Sequence, residues 1–185
     1  FIREKLPYVL YSGIAFYQRR EIKDMICYLR MLVMGDDWSF LRIINEPKRN
    51  FGEKRLKILQ DYAEQQGVSL YAALRVNLEQ PLIAKSKAAD FVTLIEKYRK
   101  CYKEMRITDV LAGILSDSGY EAMLRSSGDD ERLDNLSELR QAVYEYEAKA
   151  VEEHGLEDYL QRIALFTTMD RAERKGTIKL MTIHT

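Results

Sequence analysis

Histidine, cysteine, proline and tryptophan are scarce in this chain of 185 residues, which holds two His, two Cys, three Pro and one Trp. Cys27 and Cys101 stand far apart with neither Cys nor His beside them. That excludes a disulfide framework or a zinc ribbon and fits a reducing cytoplasm. Nine Gly and three Pro are too few for the many turns of an all-β sandwich or barrel, so long helices are expected. No run approaches twenty uncharged apolar residues, and Phe1 to Leu10 is too charged for a secretory signal; nothing directs the chain to a membrane or to export. There is no Gly-x-x-x-x-Gly-Lys-Ser/Thr phosphate loop, no Gly-x-Gly-x-x-Gly and no Gly-x-Ser-x-Gly elbow, and neither Cys has a nearby base. His154, in Glu152-Glu153-His154-Gly155, reads as an exposed helix-terminal residue. The acidic clusters Asp36-Asp37, Asp129-Asp130-Glu131 and Glu152-Glu153 sit at turns or helix ends and read as solvated charge. No catalytic or metal-ligating residue is therefore assigned.

Net charge is absent as well, with 29 Lys+Arg against 29 Asp+Glu, but the zero is an average over unequal parts. Residues 1–107 carry +7, residues 108–173 carry −10 and the last twelve carry +3. Such asymmetry can mark a polyanion-facing surface on one part of a fold.

What is present is mostly helical periodicity. Ile22, Met25, Ile26, Leu29 and Leu32–Val33 recur at three- and four-residue spacing, which predicts a helix from about Arg19 to Met34 closed by Gly35. Asp37 is expected to cap a short helix that ends before Pro47, and a third helix should run from Glu53 to Gln66 with Gly67 as its stop. Further helices are expected from Ser69 to Leu78, from Ser86 through Tyr102, from Thr108 to Leu115, and from Gly119 through Leu124. Ser126 to Asp130 reads as a mobile loop, followed by a helix to about Glu153 and a last one from Leu156 to Phe166. Only the ends look different. Pro7 to Tyr11, stopped by Ser12-Gly13, and Thr177 to Ile183 both read as strands. A lone strand cannot satisfy its own backbone, so these two should pair with each other or with a sheet outside the chain, and the chain reads as a piece of a larger protein. The expected fold class is all-α, a multi-helix domain with one short strand contributed by each terminus.

Three stretches are specific. They are Gly13-Ile14-Ala15-Phe16-Tyr17-Gln18-Arg19-Arg20-Glu21-Ile22-Lys23-Asp24 with Tyr28-Leu29-Arg30, then Leu41-Arg42-Ile43-Ile44-Asn45-Glu46-Pro47-Lys48-Arg49-Asn50-Phe51-Gly52, then Ile178-Lys179-Leu180-Met181-Thr182-Ile183-His184. A weaker one is Arg132-Leu133-Asp134-Asn135-Leu136-Ser137-Glu138-Leu139. Together and in this order they resemble superfamily 1 DNA helicases of the UvrD/PcrA/Rep type. The resemblance implies that residues 18–175 form the helical 2B subdomain, inserted into motor domain 2A, whose strands would include residues 1–17 and 176–185. It implies a junction, or hinge, at Gly13, Phe16, Tyr17, Arg19, Glu21, Lys23 and Asp24, and a single-stranded DNA track at Thr182 and His184. It also implies that ATP and Mg are bound elsewhere in the parent protein, with no cofactor in this piece. The implied partners are double-stranded and forked DNA and the remaining motor domains of the same polypeptide, with no membrane and a cytoplasmic location.

The turn at residues 47–55 has its own physical reading. Pro47 ends one helix and Gly52 opens the next, whose first-turn N–H groups and partial positive charge can seat a phosphate. Lys48, Arg49, Lys54 and Arg55 surround that seat. The resembling helicases carry Gly-Ile-Gly where this chain has Asn50-Phe51-Gly52, and Asn is the residue after Gly that best tolerates positive φ. The resemblance implies that Lys48, Arg49, Asn50, Phe51, Gly52, Lys54 and Arg55 grip a duplex backbone without reading sequence. The alternative is a protein-interaction module that uses the acidic 108–173 half.

Overall fold

A computed structural model describes residues 11–149 and 155–172, and every regular element among them is helical. The all-α expectation holds for these residues. The closing strand and most of the opening one lie outside them. Where the opening run is described, the expectation fails: Tyr11, Ser12 and Gly13 begin helix α1 (Tyr11–Gln18) and do not end a strand. This helix lies against α2 (Arg20–Val33) and α11 (Leu156–Ala172), so packing overrides a sequence that is β-prone locally.

Helix α2 is the centre of the fold. Its Ile22, Met25, Cys27, Tyr28, Leu29 and Met31 are fully buried, and α1, α3 (Asp37–Ile43), α7 (Ala88–Arg99), α8 (Ile107–Asp117), α10 (Asp130–Lys149) and α11 pack against it. On one side the rings of Tyr28, Phe40, Tyr71 and Phe91 pack edge-on or tilted, with centroids 6.0–6.4 Å apart. These rings, one each from α2, α3, α5 (Leu70–Val76) and α7, join the four helices on this side. Gly113 on α8 is required for close approach, because a Cβ there would meet the Tyr98 hydroxyl at 2.1 Å.

Helix α4 spans Glu53–Gln66 and ends on Gly67 at φ 62°, as its sequence signals predict. Several other ends are built differently from expectation. Asp36, not Asp37, caps α3, its carboxylate accepting from the Ser39 N–H at 3.0 Å. Asp37 reaches across the fold and accepts from the Leu70 N–H at 2.8 Å, capping α5 beside the expected Ser69. Helix α5 stops at Val76, and Pro81 starts a single-turn helix, α6 (Pro81–Ala84). Helix α7 ends at Arg99, and Tyr102 falls in a 3₁₀ turn. The α8 cap is not Thr108 but Glu147, which accepts from the Ile107 N–H at 2.5 Å, from the Thr108 N–H at 3.2 Å and from the Thr108 hydroxyl. Residues 126–130 are no extended loop. Helix α9 (Tyr120–Ser127) closes on Gly128 at φ 68°, with the Asp129 N–H bonded to the Leu124 carbonyl at 3.2 Å, and α10 begins at Asp130. A left-handed glycine cap of this kind makes a tight, hydrogen-bonded turn from residues that look like a linker.

Candidate nucleic-acid interface

Between α3 and α4 the chain folds into a compact turn, and one side chain organises it. Arg49 is only 5% exposed. Its Nη1 donates to the carbonyls of Ile43, Ile44 and Pro47 at 3.1, 3.3 and 3.2 Å, and its Nη2 donates to the Tyr28 hydroxyl at 2.8 Å. The guanidinium sits 5.2 Å from the Phe91 ring centroid and 6.0 Å from that of Tyr28. Tyr28 in turn donates to the Glu46 carbonyl at 2.6 Å. The carbonyls at the end of α3, which a helix leaves unpaired, are thus satisfied by a buried cation that also complements the helix dipole. The Asn45 side chain holds the other side of the turn, accepting from the N–H groups of Arg49 and Phe51 at 2.8 and 3.2 Å.

The residues expected to grip a phosphate therefore divide. Arg49 and Phe51 point inward, Phe51 being 4% exposed; the charge of Arg49 is spent on the turn itself. Lys48, Asn50, Gly52 and Lys54 are exposed, and Arg55 is half-buried with its Nε donating to the Leu82 carbonyl at 2.6 Å. Asn50 has φ 56°, the left-handed conformation that the sequence reading anticipates where the resembling helicases carry glycine. Gly52 supplies no side-chain cap to α4, the Arg55 N–H pairing instead with the Gly52 carbonyl at 3.0 Å, and Lys48 and Lys54 lie on either side of Gly52 in sequence.

The junction residues converge on a buried polar network. Phe16 is buried, stacks edge-on with Tyr17 at 5.3 Å and lies 5.5 Å beneath the Arg19 guanidinium. Burial pushes the Tyr17 hydroxyl pKa up. Arg19 donates to Asn135 and pairs with Glu138 at 3.6 Å. Glu21, 3% exposed, accepts from Arg132 at 3.1 Å and from Asn135 at 2.7 Å. Asp24, 1% exposed, accepts from the Tyr120 hydroxyl at 2.6 Å and lies 2.7 Å from Arg42 Nε in an ion pair not aligned as a hydrogen bond. The Tyr120 hydroxyl also accepts from Arg132 at 2.9 Å, and burial together with Asp24 drives its pKa far above the ordinary range. Lys23 is half-buried, and Gly13 belongs to α1. Complementing the dipole of α2 is thus the smaller part of what Glu21 and Asp24 do. Sequence reading singles out Arg132 and Asn135 as a motif but cannot say what they touch; Tyr120 it does not single out at all.

Thr182 and His184 lie outside the described residues. Among the described residues no group of three or more His, Cys, Asp or Glu side chains could hold a metal ion, and no helix is long and apolar enough to cross a membrane. With no phosphate loop in the sequence, the side chains here do not fit a nucleotide–Mg site, and no step of nucleotide chemistry is assigned to them.

Curated relatives align along the whole chain. ATP-dependent DNA helicase PcrA of Staphylococcus epidermidis (strain ATCC 35984) is 32% identical over 192 residues, covering 100% of this chain and 26% of the relative. The PcrA helicase of Staphylococcus aureus (strain Mu50) is 34% identical over 194 residues with the same coverage. The chain thus spans about a quarter of the length of these relatives. Three of the motifs meet in the described residues, and a profile of the UvrD-like helicase C-terminal domain matches residues 1–185: the chain belongs to the UvrD-like helicase family.

Proposed function

We propose that this chain is the non-catalytic, duplex-binding and regulatory part of an ATP-dependent 3′→5′ DNA helicase. Residues 18–175 form the helical insertion, and residues 1–17 and 176–185 belong to the motor domain. ATP and Mg are bound by the rest of the polypeptide; the matched relatives are named as ATP-dependent helicases. The observation that carries the reading is the division of labour in the 47–55 turn. A buried Arg49 fixes the backbone, while Lys48, Asn50, Gly52 and Lys54 are presented to solvent at an uncapped helix start. Backbone N–H groups and mobile lysines suit phosphate oxygens, and nothing in the turn is built to read a base edge. The buried network around Glu21 and Asp24 supports the junction reading, because it ties the first turns of α2 rigidly to α3, α9 and α10. A rigid insertion is what a domain rotation needs.

The test is binding of a forked duplex by the whole polypeptide across a salt series. Lys48→Ala/Lys54→Ala is expected to make log K against log salt shallower by about 1.8, at ~0.9 per phosphate contact. An unchanged slope would remove the duplex grip. The second reading rests on the exposed acidic residues of α10, Glu131, Asp134 and Glu138, which suit a basic protein partner. Under that reading Glu131→Gln/Asp134→Gln weakens capture of such a partner, and the lysine variants change nothing.

A further inference from the structure

The turn does not face solvent by itself. Helix α6 and the connection after it, residues 85–87, are fastened to it: Arg55 Nε donates to the Leu82 carbonyl of α6 at 2.6 Å, and the Lys87 N–H donates to the Arg49 carbonyl at 3.0 Å. This connection is itself rigid. The Ser86 N–H and hydroxyl both donate to the Ile83 carbonyl, at 2.9 and 2.6 Å, and the Ser86 hydroxyl accepts from the Ala88 N–H at 3.2 Å. Ile83 and Ala88 anchor its two ends in the core, 1% and 0% exposed. Lys85 and Lys87, on either side of Ser86, are both exposed. Lys57, Lys97 and Lys149 are each paired with a carboxylate, yet among the described residues Lys48, Lys54, Lys85 and Lys87 take part in no ion pair. Of the acids nearest them in sequence, Glu46 is paired with Arg20, while Glu53 and Asp90 are exposed and make no such pair among the described residues.

We propose that Lys85 and Lys87 form the second arm of a two-loop surface for the phosphate backbone of double-stranded nucleic acid. The first arm is Lys48 and Lys54. Unpaired lysines on a fixed backbone bind a polyanion mainly by releasing its counterions, and two loops held by direct hydrogen bonds can meet phosphates of one duplex together. The inference rests on reading the 47–55 turn as a duplex grip, and it adds residues that no motif marks.

The experiment measures binding of the full polypeptide to a short blunt duplex, which offers no single strand to the motor domains, over a salt series. Four variants are compared: Lys85→Ala/Lys87→Ala, Lys85→Arg/Lys87→Arg, Lys48→Ala/Lys54→Ala, and the control Lys100→Ala/Lys103→Ala. The control residues lie beyond the far end of α7, about 18 Å away at 1.5 Å per residue. All these lysines are exposed, so the fold should be kept, and an unchanged thermal midpoint verifies it. The expected result is a salt slope shallower by about 1.8 for each alanine pair at the two loops, with the arginine pair and the control matching wild type. If the turn pair lowers the slope and the 85–87 pair does not, the second arm is overturned and the turn reading stands. If neither pair lowers it, both fall together. An equal loss in the control pair would reduce the effect to overall charge and would also overturn the proposal.

Discussion

A full positive charge at 5% exposure is costly unless its donors are used, and the Arg49 guanidinium spends its own on three main-chain carbonyls and the Tyr28 hydroxyl. Arg49→Gln should therefore destabilise the protein by about 3 kcal/mol, seen as a lower denaturant midpoint at unchanged m-value. Tyr28→Phe should cost about 1 kcal/mol, and the two changes should be non-additive because they share one hydrogen bond. At the DNA end the two kinds of cation separate. Arg49→Gln weakens binding with the wild-type salt slope, because its charge meets no phosphate, whereas losing Lys48 changes the slope by about 0.9. A slope that moves equally for both would place Arg49 outside, on the ligand. In the sequence Lys48 and Arg49 are two adjacent cations; only the carbonyls gathered at the end of α3 distinguish them.

At the scale of elements, the caps decide where helices begin. Asp36→Ala removes the α3 cap and should cost about 1 kcal/mol. Burial raises the Asp36 pKa, but hydrogen bonds from the Ser39 N–H and hydroxyl and the charge of Arg30 outweigh that and hold it below the usual carboxylate value. The folded pKa is the depressed one. Its stabilisation is thus present in full above the unfolded value of about 3.9 and is lost as pH falls through the lower folded value. Wild type should lose this increment in acid, and Asp36→Ala should show a flatter acid limb in a urea series run at several pH values. Helices α2 and α4 were legible because their apolar spacing and their terminal Gly35 and Gly67 are local signals. Helix α1 was not, since Tyr11-Ser12-Gly13 carries strand and turn residues and becomes helical against α2 and α11. Nor were the caps by Asp37 and Glu147, which lie 33 and 39–40 positions from the N–H groups they satisfy. Tertiary contacts made these ends, and no window of sequence contains both partners.

For the whole molecule, the network of Glu21, Asp24, Arg42, Tyr120, Arg132 and Asn135 joins the basic N-terminal part to the acidic part through α2 and α10. Glu21→Ala leaves Arg132 and Asn135 facing each other without their shared acceptor. The expected loss is about 3–5 kcal/mol, which for a chain of this size lowers the thermal midpoint by on the order of 10 °C. Replacing both members, Glu21→Met/Arg132→Met, should recover much of it, because an apolar pair leaves no unpaired charge. A double variant as unstable as the single one would show that the ion pair itself, and not the stranded charge, matters. The motif residues were visible in the sequence as four separate blocks; that three of them meet at one point is a property of the fold.

The placement of the two cysteines turns α2 into its own clock. Cys27 is fully buried on that helix and its thiol is pushed up to about 11 by burial, while Cys101 is half-buried after α7. A maleimide that reacts with thiolate should therefore modify Cys101 in the native protein and reach Cys27 only when the central helix opens. Followed by mass spectrometry, the second adduct times the global opening of this domain. Saturating duplex should slow that adduct and leave the first unchanged if binding tightens the core from the turn inward.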